Sequence, residues 1–178
     1  AAVALATLEA AGSHFPVSEA AVRAGLTQVS WPGRLEVVSG QPRVVLDGAH
    51  NEEGILTLVQ EMKAALGRRK VKLLFGVMQD KNWDLMLRSL CAIASEVVLT
   101  RVPMERSAAP AQLATAIWEE TSWSIVESPL QALRFLLNTA KPDDVILVTG
   151  SLYLLGEVRP YFSTGDNIVA ASLVHPPV

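Results

Sequence analysis

The sequence predicts an α/β domain of the Rossmann-like type, with a mainly parallel sheet, helices on both faces and a hairpin at its start. From residue 34 onward, short β-branched or apolar segments alternate with segments of helical period, as βαβ units require. Segments 71–77 and 145–149 are almost entirely apolar, which is typical of strands buried on both faces of a sheet. Because crossovers between parallel strands are right-handed, such a chain folds as a doubly wound domain.

The first 33 residues stand apart from this alternation. Segment 1–11 is alanine-rich with apolar residues at helical spacing, and segment 18–26 is a second short helical stretch that Ser18 can cap. Trp31-Pro32-Gly33 then breaks any helix. Two small helices cannot bury a core of their own, so we expect residues 1–33 to be a helical connector from a preceding domain.

The domain predicted at 34–162 begins with a hairpin, because β-branched segments 35–38 and 43–47 flank the turn Ser39-Gly40-Gln41-Pro42. A helix is expected at 51–66, where apolar residues recur at helical spacing before a glycine. The remaining elements are predicted in the order strand 71–77, helix 82–94, strand 96–100, helix 110–120, strand 122–126, helix 130–139 and strand 145–149. Residues 163–178 have no clear period and are predicted to form a tail.

Composition and charge narrow the classes of partner. A net charge of −3 provides no basic stripe for nucleic acid or anionic lipid. The longest apolar runs are strand-sized, far below the ~20 residues that a membrane-spanning helix needs. The single cysteine, Cys91, cannot form an internal disulfide and is predicted to lie in the core. Trp83, Trp118 and Trp123 are predicted to be packing residues. We expect a cytoplasmic protein with no nucleic-acid or membrane partner.

Ligands of such sheets bind beyond the carboxyl ends of the strands, and one strand end carries Asp47-Gly48-Ala49-His50-Asn51. Asp47 can accept hydrogen bonds from hydroxyls such as those of a ribose, and His50 can donate to a carboxylate or phosphate. Asn51 can cap the next helix, whose N-terminus favours anionic groups. The same residues also suit a structural interpretation, in which Asp47 and Asn51 satisfy turn and cap hydrogen bonds and His50 lies at the surface.

Two further strand ends carry polar groups. Asp80 and Lys81 follow the strand at 71–77 and can contact a ligand, although an acid beside a base is also common in solvated turns. Ser151 follows Gly150 after the last strand, where a hydroxyl and backbone N–H groups can hold an anion or cap a helix. Arg34, ahead of the first strand, has a guanidinium suited to phosphate oxygens.

Several familiar motifs are missing from the sequence. It has no G-x-x-x-x-G-K-[ST] loop and no G-x-G-x-x-G after a strand. Asp47, His50 and Ser151 include the residue types of a hydrolytic triad, but Ser151 lacks the G-x-S-x-G elbow. The other histidines, His14 and His175, are distant in sequence, so no metal site is predicted.

Four motifs taken together resemble one family. Each is weak alone, but they occur in order over residues 1–162: Trp31-Pro32-Gly33-Arg34-Leu35-Glu36, Asp47-Gly48-Ala49-His50-Asn51, Asp80-Lys81 and Thr149-Gly150-Ser151-Leu152-Tyr153. The chain is similar to the C-terminal domain of folylpolyglutamate synthase, which in bacteria is often bifunctional with dihydrofolate synthase and belongs to the Mur ligase superfamily. The resemblance implies a Mur ligase C-terminal domain at 34–162.

The resemblance also implies an ATP-dependent ligase that adds L-glutamate to folate or dihydropteroate through an acyl phosphate. Arg34 would contact the ATP phosphates and Asp47 the ribose. His50 and Ser151 would be the catalytic residues that place the incoming glutamate. Three further residues would line the site: Asn51, Asp80 and Lys81.

The family's P-loop and magnesium ligands lie in its central domain, which this sequence does not include. The resemblance therefore implies that Mg²⁺ and half of the ATP site belong to a missing N-terminal P-loop domain, and that the fragment alone is inactive. Family members commonly have Pro after D-G-A-H-N, where this chain has Glu52, an acid that is also favourable in a first helical turn. Two alternatives stay open: the matching domain of a Mur enzyme that extends a peptidoglycan precursor, and a non-catalytic Rossmann-like nucleotide-binding or interaction module.

Overall fold

The computed structural model describes residues 2–12 and 14–163. The chain divides into two compact units, residues 1–32 and residues 33–178. Apart from its first residue, the predicted tail lies outside the described residues.

The first unit contains two helices where two were expected. They are α1 (Ala2–Ala11) and α2 (Glu19–Gln28). Ser18 caps α2, its hydroxyl oxygen accepting a hydrogen bond from the backbone N–H of Ala21 at 3.2 Å. No described residue of either helix is buried, so these helices form no core of their own.

The second unit contains the strands and helices that position the candidate site. Its strands are β1 (Glu36–Gly40), β2 (Arg43–Leu46), β3 (Val71–Phe75), β4 (Ala94–Leu99), β5 (Ser122–Ile125) and β6 (Val145–Thr149). Its helices are α3 (Glu52–Leu66), α4 (Trp83–Cys91), α5 (Pro110–Leu113), α6 (Pro129–Thr139), α7 (Leu152–Val158) and α8 (Pro160–Ser163), with one 3₁₀ turn at Ala114–Ala116.

The described strands form one sheet in the order β1-β2-β6-β3-β4-β5. The hairpin pair β1–β2 is antiparallel, and every other pair is parallel. The last strand, β6, therefore lies in the middle, between β2 and β3. This arrangement confirms the predicted fold class, including the hairpin at the start of the domain.

The two faces of the sheet carry separate apolar cores. Helices α3, α4 and α5 contribute to one core, and helices α6 and α7 contribute to the other. Alternate residues of β3 divide between them, because Leu73 and Phe75 belong to the first core and Leu74 to the second. The longest helix, α3, has 15 residues. Among the described residues, no helix combines the length and apolar character needed to span a bilayer.

The helix predicted at 110–120 is much shorter in the structure. One α-turn, α5, is followed by the 3₁₀ turn, and the chain is extended again at Ile117 (φ −79°, ψ 139°). Leu113 and Ala116 are fully buried, so this short segment already covers its part of the core. The Thr115 hydroxyl donates a hydrogen bond to the carbonyl oxygen of Gln112 within this segment.

Two of the three tryptophans that were predicted to be packing residues are exposed. Trp118 is 43% exposed and Trp123 is 48% exposed. Trp123 lies on β5, the edge strand, where little of the chain covers the side chain. Trp83 does pack against the first core, and Cys91 is buried there as predicted.

Candidate functional site

The candidate site lies where β2 and β6 end side by side. The helices that follow these two neighbouring strands, α3 and α7, pack on opposite faces of the sheet. Chains that leave adjacent strands in opposite directions open a crevice between them, and ligands of doubly wound domains bind in such a crevice. Two cavities open at this edge of the second unit.

Contacts around Gly150 hold the strand ends together. Its backbone N–H donates a hydrogen bond to the carbonyl oxygen of Ala49 at 3.0 Å, and the Thr149 hydroxyl donates to the same oxygen at 3.3 Å. Gly150 has φ +109°, and a Cβ atom there would lie 2.6 Å from the carbonyl oxygen of Gly76. Only glycine fits this conformation and this approach, so the loops after β2, β3 and β6 meet at one point.

The first cavity has a volume of about 180 Å³ and collects predicted residues from three strand ends. Four predicted site residues line it: His50, Asp80, Lys81 and Ser151. The remaining lining residues are Met78, Arg106, Gly150, Leu152 and Tyr153. The fold therefore brings together side chains that lie as much as 101 positions apart in the sequence, from 50 to 151.

The His50 ring is oriented by a local hydrogen bond. Its Nδ1 atom lies 2.8 Å from the carbonyl oxygen of Gly48. Because a carbonyl only accepts, Nδ1 carries the hydrogen, and Nε2 of the neutral ring is left as an acceptor. The expectation that His50 donates to an anion therefore applies to its protonated form, whereas the neutral form can accept a hydrogen bond from an amine.

Ser151 is both the cap of α7 and a lining residue of the first cavity. Its Oγ accepts a hydrogen bond from the backbone N–H of Tyr153 at 3.2 Å, and the residue is only 3% exposed. The Ser151 oxygen therefore caps α7, which is one of the two roles that the sequence predicts for this residue. The hydroxyl hydrogen is not used in that bond, and it can be donated to a ligand.

Asp80 lies between two cations in the first cavity. Its carboxylate is 3.4 Å from Lys81 Nζ and 3.9 Å from Arg106 Nη1. Partial desolvation works to raise the pKa of Asp80, but the hydrogen bond from Lys81, a backbone hydrogen bond and the charges of Lys81 and Arg106 outweigh it. The pKa of Asp80 is therefore lowered, and the carboxylate stays ionised at neutral pH.

Sequence reasoning missed Arg106, which lies seven residues after the end of β4. Its carbonyl oxygen accepts a hydrogen bond from the backbone N–H of Gln79 at 2.8 Å, and its neighbour Ser107 pairs with Met78. These backbone contacts fix Arg106 beside Asp80 and Lys81. The rule that ligands meet the carboxyl ends of strands, applied to β4 as well, would have drawn attention to this loop.

The second cavity contains the other pair of predicted residues, Arg34 and Asp47. Its volume is about 300 Å³, and its other lining residues are Leu35, Ala49, Gly54, Thr57, Leu58 and Glu61. Asp47 is 7% exposed, and each of its carboxylate oxygens accepts one backbone hydrogen bond at 2.9 Å, from Leu35 or from Ala49. A carboxylate oxygen can accept a second hydrogen bond, so Asp47 can bind hydroxyls while it supports the loop.

The loop that carries Arg34 is tied down on both sides. Gly33 accepts a hydrogen bond from the backbone N–H of Gly48 at 2.7 Å and donates one to Glu36 Oε2 at 2.8 Å. Glu36 in turn receives the Arg159 guanidinium at 2.8–3.1 Å. Desolvation works to raise the pKa of Glu36, but the hydrogen bonds from Arg159 and Gly33 and the Arg159 charge lower it overall. The loop is thereby fixed beside Asp47, while the Arg34 side chain is exposed.

Asn51 caps a helix and does not line either cavity. Its Oδ1 accepts a hydrogen bond from the backbone N–H of Gly54 at 2.8 Å, at the start of α3. Glu52, which stands in the first turn of α3, accepts a hydrogen bond from Asn82 at 2.7 Å. Within residues 2–12 and 14–163, no group of three or more His, Cys, Asp or Glu side chains is arranged to hold a metal ion.

Comparisons with known proteins find related sequences and domains. The model of the Mur ligase glutamate ligase domain matches residues 33–152. The chain is 34% identical over 148 residues to dihydrofolate synthase/folylpolyglutamate synthase of Bacillus subtilis, covering 80% of the chain and 33% of that protein. It is 35% identical over 169 residues to folylpolyglutamate synthase of Lacticaseibacillus casei, covering 93% of the chain and 38% of that protein.

Solved structures give the same result. FolC of Escherichia coli, in complex with DHPP and ADP, superposes with a TM-score of 0.80 at 31% identity, covering 90% of this chain and 37% of that one. Folylpolyglutamate synthase of Thermotoga maritima superposes with a TM-score of 0.71 at 34% identity, covering 93% and 38%. The chain thus spans between a third and two-fifths of the length of these four proteins.

Proposed function

Because the chain belongs to the Mur ligase family and carries its glutamate ligase domain, we propose that it is the C-terminal part of an ATP-dependent ligase that adds L-glutamate to folate or dihydropteroate. One observation carries the proposal: His50, Asp80, Lys81 and Ser151 come from three separate strand ends and line one cavity. ADP in the matched E. coli structure and the names of the relatives support the same assignment.

The proposed reaction makes an amide from a carboxylate and an amine. ATP, when bound, supplies the phosphoryl group that converts the folate carboxylate into an acyl phosphate with a good leaving group. The glutamate nitrogen then forms the C–N bond, the C–O bond to phosphate breaks, and the nitrogen loses a proton. Nε2 of neutral His50 is the acceptor that can receive a hydrogen bond from this nitrogen, and the Ser151 hydroxyl can donate to an oxygen of the substrate.

The hydrogen-bond donors and acceptors that line the second cavity suit a nucleotide. Asp47 combines a nearly buried carboxylate with unused acceptor positions, which suits the two hydroxyls of a ribose. Arg34 offers an exposed guanidinium in the same cavity, which suits phosphate oxygens. We assign Asp47 to the ribose and Arg34 to the phosphates, and we assign the Mg²⁺ ligands to the rest of the ligase.

The proposal also concerns the part of the ligase that lies outside this sequence. Residues 1–33 would connect this domain to a P-loop domain of the same chain, and the isolated domain would have no ligase activity. A cytoplasmic location stays a prediction.

The proposal is tested by measuring ATP-dependent transfer of L-glutamate to folate by the complete ligase and by its Ser151→Ala variant. We expect the variant to lose about tenfold or more in kcat/KM, since a hydroxyl donor is removed from the reacting site. Ser128→Ala is the matched control, because Ser128 also caps a helix through its hydroxyl oxygen but lines neither cavity. Transfer of an amino acid to a peptidoglycan precursor instead of folate would contradict the proposed substrate. Equal losses of kcat/KM in the Ser151 and Ser128 variants would contradict the proposed role of Ser151.

A further inference from the structure

A third cavity opens at the amino ends of the strands, on the edge of the sheet opposite to the crevice. It has a volume of about 150 Å³, and it lies where Arg43 of β2 and Val145 of β6 are paired neighbours. The charged residues that line it are Arg43, Arg69, Asp143 and Asp144. A space of this size holds a few water molecules, at ~30 Å³ each, or one small ion such as a tetrahedral oxyanion.

The two arginines of the third cavity come from different elements, and their backbones are fixed. Arg43 begins β2, and its backbone N–H donates a hydrogen bond to the carbonyl oxygen of Asp144 at 3.1 Å. Arg69 follows α3, and its backbone N–H donates to the carbonyl oxygen of Leu66 at 3.2 Å. In the part of the chain that the structure describes, no carboxylate forms an ion pair with either guanidinium. Their donors are therefore available to an anionic ligand.

Cations are concentrated at this edge, although the chain as a whole has a net charge of −3. Arg68, Arg69 and Lys70 lie between α3 and β3, Lys141 precedes β6, and Arg43 begins β2. Because β2, β6 and β3 are neighbours in the sheet, these side chains start from one edge. Their combined charge attracts anions to the cavity that Arg43 and Arg69 line.

The two carboxylates of the third cavity have different roles. Asp144 Oδ2 accepts a hydrogen bond from the backbone N–H of Lys141 at 2.9 Å, so this carboxylate holds the turn ahead of β6. Asp143 is exposed, and no such hydrogen bond holds its carboxylate. Because like charges repel, Asp143 is expected to weaken the binding of an anion, and its replacement provides a test of opposite sign.

We propose that Arg43 and Arg69 bind a tetrahedral oxyanion of the phosphate type in the third cavity. Two guanidinium groups from separate elements can each donate to different oxygens of phosphate, whereas a carboxylate has two oxygens and is matched by one guanidinium. Free phosphate and the phosphate monoester of a small molecule share this chemistry. The proposal does not depend on the ligase assignment, because neither arginine lines the first or the second cavity.

The direct experiment is an NMR titration of this 178-residue chain with inorganic phosphate, glycerol 3-phosphate and acetate at constant ionic strength. We expect phosphate to shift the amide signals of Arg43, Arg69 and residues 143–145 saturably, with a Kd of about 1–10 mM. Tighter binding of glycerol 3-phosphate would support a phosphate monoester as the ligand, and equal or weaker binding would support free phosphate. An equal response to acetate, or no saturable shift of these signals, would overturn the proposal.

Substitutions separate the third cavity from the general charge of this edge. Arg43→Gln and Arg69→Gln should each weaken phosphate binding about threefold to tenfold, whereas Asp143→Asn should strengthen it about twofold. Arg68→Gln is the matched control, because Arg68 lies in the same turn but does not line the cavity, and it should change the affinity by less than about twofold. Equal losses in the Arg68 and Arg69 variants, or weaker binding in Asp143→Asn, would overturn the proposal.

Thermal unfolding provides a readout that needs no assigned signals. A ligand that binds the folded state raises the Tm, but phosphate also stabilises proteins because it is excluded from their surface. We therefore expect phosphate to raise the Tm of the wild type and of Arg68→Gln more than that of Arg43→Gln and Arg69→Gln. An equal rise in the wild type and in every variant would overturn the proposal.

Discussion

Replacing Glu36 with glutamine is expected to loosen the loop that carries Arg34. The Glu36 carboxylate accepts three contacts from the Arg159 guanidinium, at 2.8, 3.0 and 3.1 Å, and one from the Gly33 N–H at 2.8 Å. A neutral amide keeps one acceptor oxygen, so it cannot bind the guanidinium with two oxygens and also receive Gly33. The paired geometry that fixes Gly33 is therefore lost.

The size of this effect follows from the exposure of the pair. Hydrogen bonds to charged groups contribute about 1.5–3 kcal/mol when shielded, whereas exposed ion pairs contribute about 0–1 kcal/mol. The side chains of Glu36 and Arg159 are 18% and 37% exposed, which is between these limits. We expect Glu36→Gln to lower the free energy of unfolding by about 1–2 kcal/mol. Glu127→Gln, in an exposed pair with Arg101, is the control and should change it by less than about 1 kcal/mol.

The pH dependence of the free energy of unfolding, measured by urea denaturation, gives a second check. The pKa of Glu36 is lowered by folding from its ordinary value of 4.5, so its contribution is present above about pH 4.5 and is lost as the pH falls through the folded-state pKa. The stability difference between wild type and Glu36→Gln should therefore be largest near neutral pH and shrink below about pH 4. A difference that is constant from pH 7 to pH 3 would refute the ion-pair explanation.

Two further substitutions test other parts of the site. Gly150→Ala should destabilise the domain by at least about 2 kcal/mol, because the new Cβ would lie 2.6 Å from the Gly76 carbonyl oxygen. Thermal unfolding measures this change. Gly156→Ala is the control and should be neutral or stabilising, because Gly156 has open space around it. Asp47→Ala in the complete ligase should raise the KM for ATP much more than the KM for L-glutamate. An unchanged KM for ATP would remove the ribose role.

The regular elements could be predicted because local signals define them. In α3, for example, Asn51 caps the first turn, apolar residues recur at helical spacing, and Gly67 ends the helix with φ +62°. The segment at 110–120 lacked such signals: Ala109 provides no side-chain cap, and the helix stops once Leu113 and Ala116 are buried. Packing of the whole domain decides its length, and the sequence pattern does not report that packing.

The candidate site could be predicted only in part for a similar reason. His50 and Ser151 lie in the loops that follow β2 and β6, so the topology brings them to one edge of the sheet. Arg106 reaches the same cavity through pairing between the loop after β4 and residues 77–79. The strand-end rule points to this loop, but the local sequence does not show which of its residues enters the cavity. The hydrogen bond from His50 Nδ1 to Gly48 likewise depends on the exact turn and reverses the role expected for the neutral ring.

The central place of β6 also constrains the order in which the domain is made. Its partners β2 and β3 are synthesised long before it, and the contact between Thr149 and Ala49 joins residues 100 positions apart. While the ribosome is still translating the chain before residue 145, β2 and β3 have no strand between them, and the first cavity lacks the residues at 150–153 that line it. Long-range pairing of this kind slows folding and exposes strand edges. The first cavity is therefore expected to form only after β6 and the start of α7 have been synthesised.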